Sequence, residues 1–221
     1  MPKNNISKSP PKGSVRFSLS LSEEQKKAKT EILKHPFNFI VGKAGSGKTL
    51  LAVQIALDQF FKRQCNKIII TRPTISTEDN GFLPGSEREK MEPWLVPIRS
   101  NMKKIYNKHI ILEKMEKEES IELVSLAHFR GRTFDNAIVI VDEFQNLTRS
   151  QLAMAIGRLG KDSKMIFCGD SYQIDLRDKQ HSAYHDMAKL TNSKYVFKCV
   201  LEDSHRHNAI DDLLELLNGY H

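Results

Sequence analysis

An α/β domain with a mainly parallel sheet and helices on both of its faces is the fold class this sequence predicts, on three observations. Short apolar runs of strand length alternate with stretches of helical pattern from about residue 21 onward, the order that gives parallel strands joined by crossover helices. The runs are apolar at nearly every position rather than at alternate ones, as in strands buried on both faces. The glycine-rich segment GKAGSGKT at residues 42–49 joins one such run to one such helix. At 221 residues the chain has room for one full core, so a single domain is expected.

The elements follow in order. Residues 1–18 are basic and contain prolines, with Lys3, Lys8, Lys12 and Arg16 and no acidic residue before Glu23. They read as a disordered tail ahead of a domain spanning residues 19–221. Residues 21–34 (LSEEQKKAKTEILK) read as a helix opened by Ser22, with Gln25 three positions on completing a capping box. Strands are predicted at residues 37–41, 67–71, 121–125, 137–141, 164–168 and 195–201. Helices are predicted at residues 48–62, 87–106, 149–159, 182–190 and 208–217. Residues 72–85 (RPTISTEDNGFLPG) form a long loop leaving a strand end, the edge where ligands sit in open parallel sheets. The mixed charges at residues 113–119 read as a solvated helix face or a loop.

Bulk properties narrow the classes. The formal charge is +7, but four of those charges lie in the tail, so only a modest excess is left to attract an anionic partner. No run of eighteen apolar residues occurs, and the start lacks the apolar stretch of a signal peptide, so a soluble, cytoplasmic protein without membrane association is expected. Cys65, Cys168 and Cys199 are dispersed with no CxxC spacing, which fits reduced core thiols and not zinc or disulfides.

The chemistry is concentrated in two places. Gly42, Lys43, Ala44, Gly45, Ser46, Gly47, Lys48 and Thr49 satisfy G-x-x-x-x-G-K-[ST] between a strand and a helix. The glycines free the backbone to point successive amides at a polyphosphate beside the positive helix end. Lys48 supplies a charge for the β and γ phosphates, and Thr49 a hydroxyl for Mg²⁺. The second place is the strand end IVIVDE, where Asp142 is the metal candidate and Glu143 the candidate general base for the attacking water. The competing reading is that these carboxylates merely end a strand at the surface. Arg72, leaving a strand at the ligand edge, and the loop after it are the best candidates for contact with a nucleic-acid backbone. Phe82 and Trp94 could stack on bases, but aromatics in partly apolar segments read first as core residues, and Arg130 and Arg132 are either phosphate contacts or surface residues.

Taken together, GKAGSGKT (42–49), TRPTIS and NGFLPG (71–76, 80–85), GRTFDNAIVIVDEFQN (131–146), SKMIFCGDSYQIDL (163–176) and EDSHRH (202–207) resemble the PhoH-like family. That family is a branch of the RecA-like P-loop ATPases related to superfamily 1 helicases. Lys43 stands where the family commonly has proline, and Phe144 where it commonly has alanine; neither removes a catalytic side chain. The resemblance implies a single RecA-like P-loop NTPase domain that uses ATP and Mg²⁺. It places Gln173, with Asp170 in the same motif, near the γ-phosphate, although both residues also suit a plain turn. It matches Gln25 to a glutamine that reads the adenine edge, against its capping role. Arg206 matches an arginine that can reach a transferring phosphate, which in a ring would be a neighbour's; the alternative is a surface ion pair. His205 and His207, beside it, read as bystanders. The function so implied is an Mg²⁺-dependent ATP hydrolase coupled to binding or remodelling RNA or single-stranded DNA, acting as a homo-oligomer. A nucleoside kinase, which also pairs a P-loop with a DE-x-Q strand end, and a nucleotide-gated binding switch are the alternatives.

Overall fold

The computed structural model describes residues 15–73 and 87–203, together with Ala209, Leu213 and Leu216. Arg206, Phe82, His205, His207, the tail lysines Lys3, Lys8 and Lys12, most of the loop at 72–85 and the remainder of the predicted helix at 208–217 lie outside the described residues, as does the Trp94 side chain.

The apolar runs become six strands, all paired in parallel: β1 (Phe37–Gly42), β2 (Lys67–Thr71), β3 (Ile121–Leu123), β4 (Ala137–Val141), β5 (Lys164–Gly169) and β6 (Val196–Leu201). Their spatial order is β3-β2-β4-β5-β1-β6. Successive side chains of a strand point to opposite faces, so continuous hydrophobicity supplies two cores at once. Ile40, Ile68, Ile70, Ile138, Ile140 and Ile166 face one layer, and Phe39, Ile69, Val139, Val141, Met165 and Phe167 the other.

The first layer is built by α1 (Glu23–Ile32), α2 (Lys48–Phe61), α3 (Glu87–Ile105) and α4 (His109–Lys117), whose Ile32, Leu51, Ile55, Ile98 and Leu112 are buried in it. Burying each such side chain stabilises the fold by about 1.5–3 kcal/mol. On the second face lie α5 (Arg149–Ile156), α6 (Met187–Leu190) and 3₁₀ turns at Leu126–Phe129 and Phe144–Asn146. Phe39 stacks on Phe167 with centroids 4.7 Å apart, and Phe144 meets both edge-on. Helices therefore cover both faces of a wholly parallel sheet, as the sequence predicts.

Departures are local. Helix α4 forms where the sequence suggested a solvated helix face or loop; Leu112 and Met115 are its buried anchors, and Lys108 offers no capping side chain. The predicted helix at 182–190 is a 3₁₀ turn, Ala183–Asp186, followed by the single turn α6. The Ser182 hydroxyl is the cause, since it accepts from the Tyr184 amide and donates to the Gln145 carbonyl, tying the segment to the turn after β4. Val15 and Phe17 pack against the first core, and the Ser18 amide donates to the Ile105 carbonyl at 2.8 Å, so packing reaches back into the segment expected to be tail. Cys65 and Cys168 are buried, Cys199 is half-buried, and all three are free thiols. Burial pushes Cys65 and Cys199 up to about 12 and Cys168 well above its usual value, so none is a ready thiolate.

The strand order matters for the site. Because β5 lies between β1 and β4, the turns leaving the carboxyl ends of these three strands stand side by side on one edge.

Candidate active site

Gly42 closes β1 in register with Leu201 of β6. A Cβ at Gly42 would lie 2.4 Å from the Leu201 carbonyl oxygen and 2.9 Å from Ser46 Oγ, so only glycine fits there. The loop is closed by the Ser46 amide donating to the Lys43 carbonyl at 3.2 Å. Gly47 then takes a left-handed conformation (φ 80°) as the N-cap of α2, with no side chain capping the helix and no acidic residue in its first turn. The first amides of this fourteen-residue helix are thus left to an anion. Lys48 Nζ donates to the carbonyls of Gly42 (2.8 Å) and Lys43 (2.9 Å), which holds the ammonium over the loop. Ser46 is buried, and among the described residues its hydroxyl has no hydrogen-bond partner. A glycine-lined cradle, a positive helix end, a poised lysine and an orphaned buried hydroxyl fit a polyphosphate.

Thr49 opens the first turn of α2 and Asp142 follows β4, and the fold brings the two together across 93 positions: Thr49 Oγ1 donates to Asp142 Oδ1 at 2.6 Å. Asp142 is only 5% exposed. Burial pushes its carboxyl up to about 6, the Glu143 charge adds to the rise, and the Thr49 hydroxyl, Arg72 and Lys48 oppose it. A hard cation here would restore the carboxylate. Among the described residues no three His, Cys, Asp or Glu side chains converge as a metal site. An Mg²⁺ ion would therefore be held by Thr49 and Asp142 with nucleotide oxygens and water completing its shell, the usual way this ion is bound.

Glu143 sits at φ 54°, ψ 42°, a left-handed position that costs a non-glycine residue on the order of 1 kcal/mol and fixes the direction of its side chain. Oε1 faces Arg72 at 3.6 Å, and Oε2 accepts from Gln145 Nε2 at 2.7 Å. Gln145, which has no exposed surface, is the hub of the region. Its Nε2 also donates to the Gln173 carbonyl (3.0 Å), and its Oε1 accepts from the Asp170 amide (3.1 Å). Next to it, Asn146 Oδ1 accepts from the Asp175 amide at 2.8 Å. The turn after β4 thus holds the turn after β5, and with it Gln173. Sequence reasoning quoted Gln145 and Asn146 inside a motif but gave them no role. The signal was present, because amide side chains directly after a buried strand need partners.

The other candidates are placed as follows. Gln173 is exposed, and its amide donates to the Asp170 carbonyl; Asp170 is buried and accepts from the Tyr172 amide at 2.9 Å, the turn geometry. Gln25 completes the capping box with Ser22 and also points Nε2 at the Ser46 carbonyl of the glycine loop, 3.4 Å away. Its capping role and its place beside the cradle therefore coexist. Arg132 pairs with Glu122 at 2.7 Å and lies over the Phe134 ring, a structural arrangement, whereas Arg130 is exposed. Among the described residues no helix is long and apolar enough to cross a membrane.

Comparison with known proteins identifies the family and the fold. The model of the PhoH-like protein family matches residues 19–218. A PhoH-like protein of Synechocystis is 43% identical over 152 residues, covering 68% of this chain and 46% of that protein. This chain spans about half the length of the curated relatives it matches. Among solved structures, the large terminase of a thermophilic bacteriophage superposes with a TM-score of 0.58 at 9% identity, over 89% of this chain and 50% of that one. The SWI2/SNF2 ATPase core of Sulfolobus solfataricus, in complex with dsDNA, does so with a TM-score of 0.52 at 13% identity, over 86% and 47%. At such identities the likeness is one of fold, that of RecA-like P-loop domains, and with the family model spanning nearly all of the sequence, the chain belongs to the PhoH-like family.

Proposed function

We propose that this chain is an Mg²⁺-dependent ATPase whose turnover is coupled to binding RNA or single-stranded DNA. The observation that carries the reading is the 2.6 Å contact between Thr49 and Asp142 with Glu143 beside it. It supports reading Thr49 and Asp142 as a metal-holding pair, with Glu143 as the base, beside the glycine loop. Bound Mg²⁺ would supply charge neutralisation on the β and γ phosphates. The cradle amides and Lys48 hold the triphosphate, and Gln173 stands on the turn between cradle and base. Glu143 accepts the proton of the attacking water as its oxygen bonds to the γ-phosphorus; the bridging P–O bond breaks and its electron pair leaves on ADP.

The nucleic-acid part is supported by the basic sequence and by Arg72 at the carboxyl edge of the sheet. The same proposal includes a homo-oligomer, with Arg206 serving a neighbouring site; that part rests on the family resemblance. Steady-state phosphate release, measured with and without RNA and single-stranded DNA, tests the reading. Stimulation by polynucleotide of about tenfold or more is expected, given what a correctly placed base contributes. Phosphate appearing on a nucleoside instead of free in solution would contradict it, as would hydrolysis indifferent to every polynucleotide.

A further inference from the structure

Arg72 and Glu143 leave the carboxyl ends of the neighbouring strands β2 and β4, whose last residues, Thr71 and Val141, are paired in register. Both side chains are partly shielded, 25% and 22% exposed, and the guanidinium stands 3.6 Å from Oε1. The other oxygen, Oε2, accepts from Gln145. Both carboxylate oxygens of the candidate base thus have a partner within the protein, and the guanidinium competes with a water for Oε1. The two restraints differ in kind. Gln145 is wholly buried and anchored to the turns around it. Arg72 keeps a quarter of its surface exposed on the edge where ligands arrive, and at 3.6 Å its contact with Glu143 is an ion pair without a hydrogen bond, which an incoming anion can replace. A phosphodiester suits the planar fork of a guanidinium as well as a carboxylate does.

We infer that Arg72 couples the polyanion to hydrolysis: it engages Glu143 while no nucleic acid is bound, and a backbone phosphate that draws the guanidinium away frees Glu143 for the attacking water. This rests on the ATPase reading above and adds the regulation of that same site. The ligand is the sugar-phosphate backbone, so the effect is independent of base sequence. The nucleotide's own γ-phosphate is the competing anion.

The test is phosphate release by the full chain at saturating Mg·ATP, with and without single-stranded oligonucleotides of RNA and of DNA, for wild type, Arg72→Ala, Arg72→Gln and Lys198→Ala. Lys198 is exposed on β6 at the opposite edge of the sheet. Both Arg72 variants are expected to run about tenfold faster than wild type without polynucleotide, since a freed base recovers part of its effect. Added polynucleotide should then give no further stimulation, and the slope of log Kd against log salt should fall by about one phosphate contact. Lys198→Ala should behave as wild type, and thermal midpoints near wild type will show that the Arg72 variants are folded. A basal rate that falls in both Arg72 variants would overturn the inference, because Arg72 would then serve the nucleotide. An unchanged basal rate would overturn it too, whether stimulation survives or is lost, because Arg72 would then contact nucleic acid at most. Wild type that hydrolyses without responding to any polynucleotide overturns the functional reading itself, a result separate from these.

Discussion

Glu143→Gln lowers steady-state phosphate release by about 10²- to 10⁴-fold while Mg·ATP binds within about threefold of its wild-type affinity. The substitution keeps the length and shape of the side chain at a left-handed backbone position, and it leaves the cradle, Lys48 and the Thr49–Asp142 pair untouched. What it removes is a group able to take a proton. Because binding and hydrolysis draw on different residues, the loss falls on kcat and spares affinity. Single-turnover rates together with equilibrium binding of a fluorescent nucleotide separate the two. A loss of less than about threefold would return Glu143 to the role of a strand-end residue, with the proton going elsewhere.

Asp142→Asn has the second large effect, and it acts in two directions. It abolishes Mg²⁺-dependent nucleotide binding and brings turnover to background, because half of the proposed metal-holding pair becomes neutral. It also makes the nucleotide-free protein more stable. Burial raises the Asp142 carboxyl from an ordinary value of 3.8 to about 6. The folded state therefore favours the protonated form. Below about pH 3.8 the group carries a proton whether folded or not and costs nothing; as pH rises from there through about 6 stability is lost, and above that the cost is carried in full. Removing the charge should recover about 1–3 kcal/mol near pH 7.5, with the gain disappearing near pH 4. Urea midpoints of the two proteins at those pH values check this. An asparagine variant no more stable than wild type near pH 7.5 would show that something other than burial cost governs this carboxylate. Sites that give up stability in the empty protein to hold a ligand are a recurrent feature of enzymes.

Much of this was readable in the sequence. The strands were legible because burial on both faces leaves almost no polar position in them, and because the glycine loop fixed which run meets which helix. Gly42 to Thr49 and Asp142 could be singled out because their chemistry demands particular residue types at a fixed local spacing. Whatever depends on the order of strands was not legible. Nothing in the sequence says that β5 enters between β1 and β4, although this insertion is what sets the Asp170 to Gln173 turn among the other site residues. The Arg72–Glu143 pair was hidden for the same reason: each residue was given a separate role, and only the register of β2 against β4 makes them neighbours. Gln145 escaped because a buried amide among apolar residues shows that partners exist without naming them. The 182–190 segment was misread as one helix because its pattern is helical, while the long-range bond from Ser182 to Gln145 decides its conformation.

The most direct test of the central claim is calorimetric titration of a non-hydrolysable ATP analogue into the chain, with Mg²⁺ and with the metal chelated, for wild type and Lys48→Ala. The account predicts one site per chain in wild type with Mg²⁺, an affinity at least about tenfold weaker without the metal, and no measurable binding to the Lys48 variant. No heat with wild type in Mg²⁺, or the same affinity with the metal removed and Lys48 truncated, would contradict a triphosphate gripped between the glycine cradle and Asp142.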